Sequence, residues 1–67
     1  MRARPLSRPD GPGAWMRHWI GRAGIVKRRP MVLHENGTVT DLRAGPGFNR
    51  PLAWYDGKPG CWTRIEG

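Results

Sequence analysis

Met31-Val32-Leu33-His34-Glu35-Asn36-Gly37-Thr38-Val39-Thr40-Asp41-Leu42 is the stretch on which the fold turns. Asn36-Gly37 stands between two runs of β-prone residues, the preferred pair for a two-residue type I′ hairpin turn, in which both central positions need positive φ. Such a turn predicts the pairs Met31–Leu42, Val32–Asp41, Leu33–Thr40, His34–Val39 and Glu35–Thr38. Met31, Leu33 and Leu42 then share one face, which is assigned to the core. Upstream, Ile25-Val26 can add a strand, and Pro30 is expected to end it or hold it at an edge.

Residues 14–23, AWMRHWIGRA, read differently. At a helical 100° per residue, Trp15, Met16, Trp19, Ile20 and Ala23 gather in an arc of about 140°, with Arg17, His18 and Arg22 opposite. Strand alternation would instead seat Arg17 between Trp15 and Trp19 on one face. A short amphipathic helix is therefore expected, stopped by Gly24. Its Trp face must dock, because ten residues do not hold a helix alone.

Residues 1–13, MRARPLSRPDGPG, are expected to form an extended Arg/Pro-rich arm, since three prolines and two glycines admit neither helix nor central strand. On the other side, RAGPGFNRP at 43–51 reads as a loop. LAWYDGKPGCWTRI at 52–65 reads as a second hairpin with Asp56–Gly60 as its loop and Trp54 opposite Trp62. The expected organisation is an arm over 1–13 and one small domain over 14–67. That domain holds a helix at 14–23 and hairpins at about 31–42 and 52–65. Its fold class is small and β-rich with one short α-helix. The two hairpins form either a partly open SH3-like barrel or a small sheet, on size and strand count alone. At 67 residues the core is small, and Trp15, Trp19, Trp54 and Trp62 are its candidates.

Charge divides the chain. Arg2, Arg4, Arg8, Arg17, Arg22, Lys27, Arg28 and Arg29 face only Asp10 within residues 1–30, so the whole net charge of +7 lies there. Residues 31–67 carry four cations and four acids. These eight cations are the candidate anion-binding residues, because guanidinium groups match phosphate geometry and each neutralised phosphate adds salt-sensitive affinity. Basic and aromatic residues interleave at 15–19 and 62–64. If exposed they could stack bases; with few other large apolar residues present, the core is the better use for them. Phe48, in a Gly/Pro loop, and Tyr55 are candidate anchors for a partner.

Chemistry beyond binding is sparse. His18, His34 and Cys61 lack metal-ligand spacing, so no metal or cofactor is expected. A Cys61–His34–Asp41 nucleophile arrangement can be drawn, with His34 and Asp41 on one face of the expected hairpin, but so short a chain offers little cleft or oxyanion site. No enzyme activity and no small-molecule substrate are expected. The Asn36-Gly37-Thr38 sequon is explained by the turn. A lone cysteine and the lack of an apolar h-region after the N-terminal arginines suggest a reducing compartment or a virion rather than secretion. The prolines oppose a transit helix, and the Trp helix is too short to favour a membrane surface.

The expected function is a non-enzymatic structural or accessory protein of a large nucleic-acid-containing assembly, of virion or ribosome type. It would dock on other proteins or on phosphate backbone through the basic arm and helix. A free-standing nucleic-acid-binding regulator or inhibitor is the alternative.

Overall fold

The computed structural model describes residues 4–45 and 47–65. Strands β1 (Gly13–Ile20), β2 (Val26–Leu33), β3 (Thr38–Asp41), β4 (Asn49–Pro51) and β5 (Cys61–Arg64) form one open antiparallel sheet in the order β4-β3-β2-β1-β5. A single helical turn, α1 (Ala53–Asp56), precedes β5. The β-rich class with one short helix is seen, as one open sheet; the partly open SH3-like barrel is not formed among the described residues.

β1 replaces the helix expected at 14–23. Strand alternation does put Trp15, Arg17 and Trp19 on one face, and the packing resolves the apparent conflict. The Arg17 guanidinium lies 4.8 Å from the Trp19 ring centre, 5.3 Å from Tyr55 and 5.7 Å from Trp62. Its Nη2 donates to the Pro59 carbonyl at 2.7 Å. Electron-rich ring faces and a carbonyl thus accept a cation that an aliphatic core would reject. With that cost largely offset, the β propensity of Trp and Ile prevails.

β2 runs straight through Pro30. The Pro30 carbonyl accepts from Leu42 N–H at 3.2 Å, so its own nitrogen also faces the β3 side. There β3 ends, and the missing donor costs only a terminal rung while the β1–β2 ladder stays intact.

The hairpin at 31–42 forms, one residue out of the expected register. Met31 pairs with Asp41, Val32 with Thr40 and Leu33 with Val39. His34 N–H donates to Thr38 O at 2.8 Å, and Gly37 N–H donates to His34 O at 3.0 Å, which closes a three-residue loop. Gly37 alone takes the left-handed conformation there, at φ +88°. Asn36 keeps negative φ because its Oδ1 accepts from the Thr38 amide at 3.0 Å, an Asx turn that competes with type I′ geometry. The slip exchanges faces: Val39 and Asp41 are buried, and Leu42, expected in the core, is 55% exposed.

The second hairpin does not form. Leu52 and Tyr55, three apart, bury together on one side of α1 and leave Trp54 44% exposed. β5 pairs with β1, Trp62 lying opposite Arg17, so there is no Trp54–Trp62 pair. Trp62 meets Tyr55 edge-on instead, centroids 5.4 Å apart. Gly60, at φ +139°, lets the chain enter β5 against β1, because a Cβ there would meet His18 O at 2.9 Å.

Described residues of the expected arm are bonded to the sheet. Leu6 exchanges two 2.7 Å backbone bonds with Trp62, Pro9 is buried, and Gly11 O accepts from Trp15 Nε1 at 2.9 Å. Arg64 ties the same segment down, with Nη2 3.1 Å from Asp10 and Nη1 donating to Pro12 O at 3.1 Å. The core gathers on one face of the sheet: Trp15, Met31, Leu33, Val39, Leu52, Tyr55 and Trp62, with Leu6 against it. The strand residues of the other face include Met16, Ile20, Val26 and Val32, and among these Ile20 is 70% exposed.

Candidate nucleic-acid interface

β1 and β2 outrun their neighbours. β5 pairs with β1 only over Trp15–His18, and β3 pairs with β2 only over Met31–Leu33. Trp19-Ile20 and Val26-Lys27 therefore form a two-stranded ribbon, joined by the turn Arg22–Gly24, with Arg28 and Arg29 at its base. In that turn Ala23 takes φ 59°, and Gly21 N–H closes on Ile25 O at 2.7 Å. Successive strand residues point to opposite faces, so Lys27 and Arg29 share the face of Trp19 while Arg28 takes the other. Arg43 completes a shallow depression of about 410 Å³ with Lys27, Arg28 and Arg29. Of these cations, Arg29 has an acidic neighbour, Asp41, at 3.5 Å.

The other candidate residues are placed elsewhere. Arg2 lies outside the described residues. Arg4 is exposed and Arg8 pairs with Asp56 at 3.0 Å, both within the segment bonded to β5. Arg17 is buried among rings and is not part of a cationic surface. Tyr55, expected as a partner anchor, is buried in the core because α1 turns it inward, whereas Phe48 is half-buried beside Trp54. Of the eight cations, Lys27, Arg28 and Arg29 line one depression, and Arg22 lies in the turn at the ribbon's tip.

Arg43 escaped the sequence reading because it sits in the neutral half. The observed register, continued past Met31–Asp41 and Pro30–Leu42, sets Arg43 beside Arg29. A correct turn length would have found it.

Between α1 and the core face of the sheet lies a cleft of about 390 Å³. Trp19, Phe48, Trp54 and Tyr55 supply its aromatic walls, with Arg17, Arg29, Lys58 and Asp41 among them. Lys58 Nζ stands 4.2 Å from the Trp54 ring centre, and Arg50 lies 4.6 Å from that of Phe48. Two residues lining this cleft each bury a donor without a hydrogen-bond partner: Arg17 its Nε and Tyr55 its hydroxyl. Burial lowers the Arg17 pKa against opposing contributions from Tyr55 and Cys61. It raises that of Tyr55, a shift to which Asp41 adds and which the nearby arginines oppose.

Compared with known proteins, the chain matches no family model, no curated protein and no solved structure.

The Cys61–His34–Asp41 arrangement is not assembled. His34 Nε2 bonds Thr40 Oγ1 at 2.7 Å, and the register slip turns Asp41 to the opposite face, where Oδ1 accepts from the Arg43 and Ala44 amides. Cys61 instead faces His18, Sγ 3.6 Å from Nδ1, with His18 Nε2 2.8 Å from Thr63 Oγ1. Among the described residues no three His, Cys, Asp or Glu side chains gather as a metal site, and no helix is long and apolar enough to cross a membrane.

Proposed function

We propose that this protein is a non-enzymatic accessory subunit of a nucleic-acid-containing assembly, gripping phosphate backbone with the β1–β2 ribbon. The observation that carries the reading is the clustering of Lys27, Arg28, Arg29 and Arg43 at the base of a projecting ribbon whose tip turn holds Arg22, with Arg29 the member paired with an acid. A ribbon that extends past its sheet reaches a rod-like polyanion without obstruction from the body, and arginine forks suit phosphate oxygens. Of the basic residues expected to act through an arm and a helix, only those on or beside the ribbon take this role.

The uncovered sheet face favours an assembly subunit over a free-standing regulator. Ile20 and Val26, paired across the ribbon, are 70% and 56% exposed. Apolar side chains grouped in this way mark surfaces that neighbours cover.

The test is a salt titration of the full chain on a fluorescent single-stranded oligonucleotide. Four phosphate contacts give a slope of log K against log salt of about −2.8, and the double variant Lys27→Glu, Arg28→Glu halves it to about −1.4. Equal slopes for the two proteins would remove the ribbon from the interface.

A further inference from the structure

Phosphate contacts hold a nucleic acid without reading whether its bases are paired. The cleft beside the ribbon carries what the ribbon lacks. Trp54, 44% exposed, lines the cleft, Phe48 meets Trp54 edge-on with centroids 6.2 Å apart, and Trp19 lines it as well. The nearby charge favours an anion, because Arg17, Arg29 and Lys58 stand against Asp41 alone. Arg29 lines both the cleft and the basic depression of the ribbon, so the two surfaces are continuous.

The buried donors add a second, independent observation. The Tyr55 hydroxyl and Arg17 Nε have no acceptor, although both residues are about 5% exposed and line the cleft. Unpaired buried donors are costly and rare in folded proteins. A ligand bearing carbonyl or ring-nitrogen acceptors supplies what they lack. A volume of about 390 Å³ is within the range of sites that enclose a small planar group.

We propose that this cleft takes an unpaired nucleobase from a strand whose phosphates lie on the β1–β2 ribbon. The proposal rests on the ribbon reading and adds to it a preference for single-stranded chains. The base stacks on Trp54, its acceptors meet Tyr55 Oη–H and Arg17 Nε–H once those side chains turn toward the cleft, and Lys58 leaves the Trp54 ring face for the adjoining phosphate. A duplex presents no free base to the cleft and is held by the ribbon alone.

The experiment compares three fluorescent probes on the full chain at one salt concentration: a single-stranded oligonucleotide, its duplex, and an abasic strand of equal length. The abasic strand keeps the phosphates and removes the bases. One stacked base makes the single strand bind about 5- to 150-fold more tightly than the abasic one. Trp54→Ala removes most of that difference and leaves abasic binding unchanged. Tyr55→Phe, which deletes one oxygen from a packed ring and keeps the fold, lowers single-strand affinity about 2- to 12-fold with no effect on the abasic probe.

Equal affinity of the wild-type chain for the single and abasic strands overturns the cleft proposal and leaves the ribbon reading standing. A Trp54→Ala loss shared equally by both probes also overturns it. Failure of all three probes to bind overturns both readings.

Discussion

Arg64 links the N-terminal segment to the sheet, and replacing it with Ala separates a bonded segment from a free arm. Three contacts disappear. The bond from Nη1 to Pro12 O, 3.1 Å, is worth about 0.5–1.5 kcal/mol. The pair with Asp10 joins side chains that are 35% and 69% exposed, so solvent screening holds it to about 0–1 kcal/mol. The guanidinium lies 4.4 Å from the Trp15 ring centre, a cation–π contact worth about 0.5–1 kcal/mol. Together they give roughly 2 kcal/mol. For 67 residues the unfolding entropy is about 0.14 kcal/mol per degree, so Tm should fall by about 14 °C. Arg8→Ala is the comparison, because it breaks one exposed pair to the same segment. Its partners are 54% and 45% exposed, and its cost is about 0.5 kcal/mol or 3–4 °C. The assay is thermal melting by near-ultraviolet circular dichroism, which reports the packing of Trp15. A Tm for Arg64→Ala within about 3 °C of wild type, or equal to that of Arg8→Ala, would refute the bonded segment and restore a free arm.

Gly60→Ala should cost at least about 1–3 kcal/mol, since its Cβ would sit 2.9 Å from the His18 carbonyl at a φ of +139°; hydrogen exchange of the β1–β5 amides reads the loss, and unchanged protection contradicts it. Alkaline stability is governed in part by Tyr55, the one tyrosine, whose phenol burial holds above the ordinary value of 10.0. Below pH 10 both folded and unfolded forms are neutral and the contribution is complete; above it the unfolded chain ionises first, so stability falls as pH rises. Absorbance titration near 295 nm should show the raised pKa in the folded chain, and Tyr55→Phe should flatten the fall in Tm above pH 10.

Much of the fold was legible at Gly37 and little of it at Arg17. Gly37 marks a reversal between β-prone runs whatever the turn type, so the hairpin was identified. Its register depended on whether the Asn36 carboxamide stays free or accepts from Thr38, a competition worth little energy but enough to exchange Leu42 for Val39 in the core. Arg17 misled because a cation between two tryptophans argues against a strand until the rings of Tyr55 and Trp62 arrive from more than thirty residues away. The ribbon was half legible: its charges are contiguous in sequence, but their projection follows from the shortness of β3 and β5. Nothing local joins Trp19, Trp54 and Arg29 around one cleft.

Composition and local pattern by themselves determined a small β-rich chain, a hairpin around Gly37 and a cationic first half, because turn φ requirements and net charge are properties of neighbouring residues. Tertiary structure alone decided the strand at 13–20, the bonding of residues 4–12, the inward turn of Tyr55 and the cleft beside the ribbon. Each depends on groups far apart in sequence that offset one another's desolvation, and that balance exists only once the sheet has brought them together.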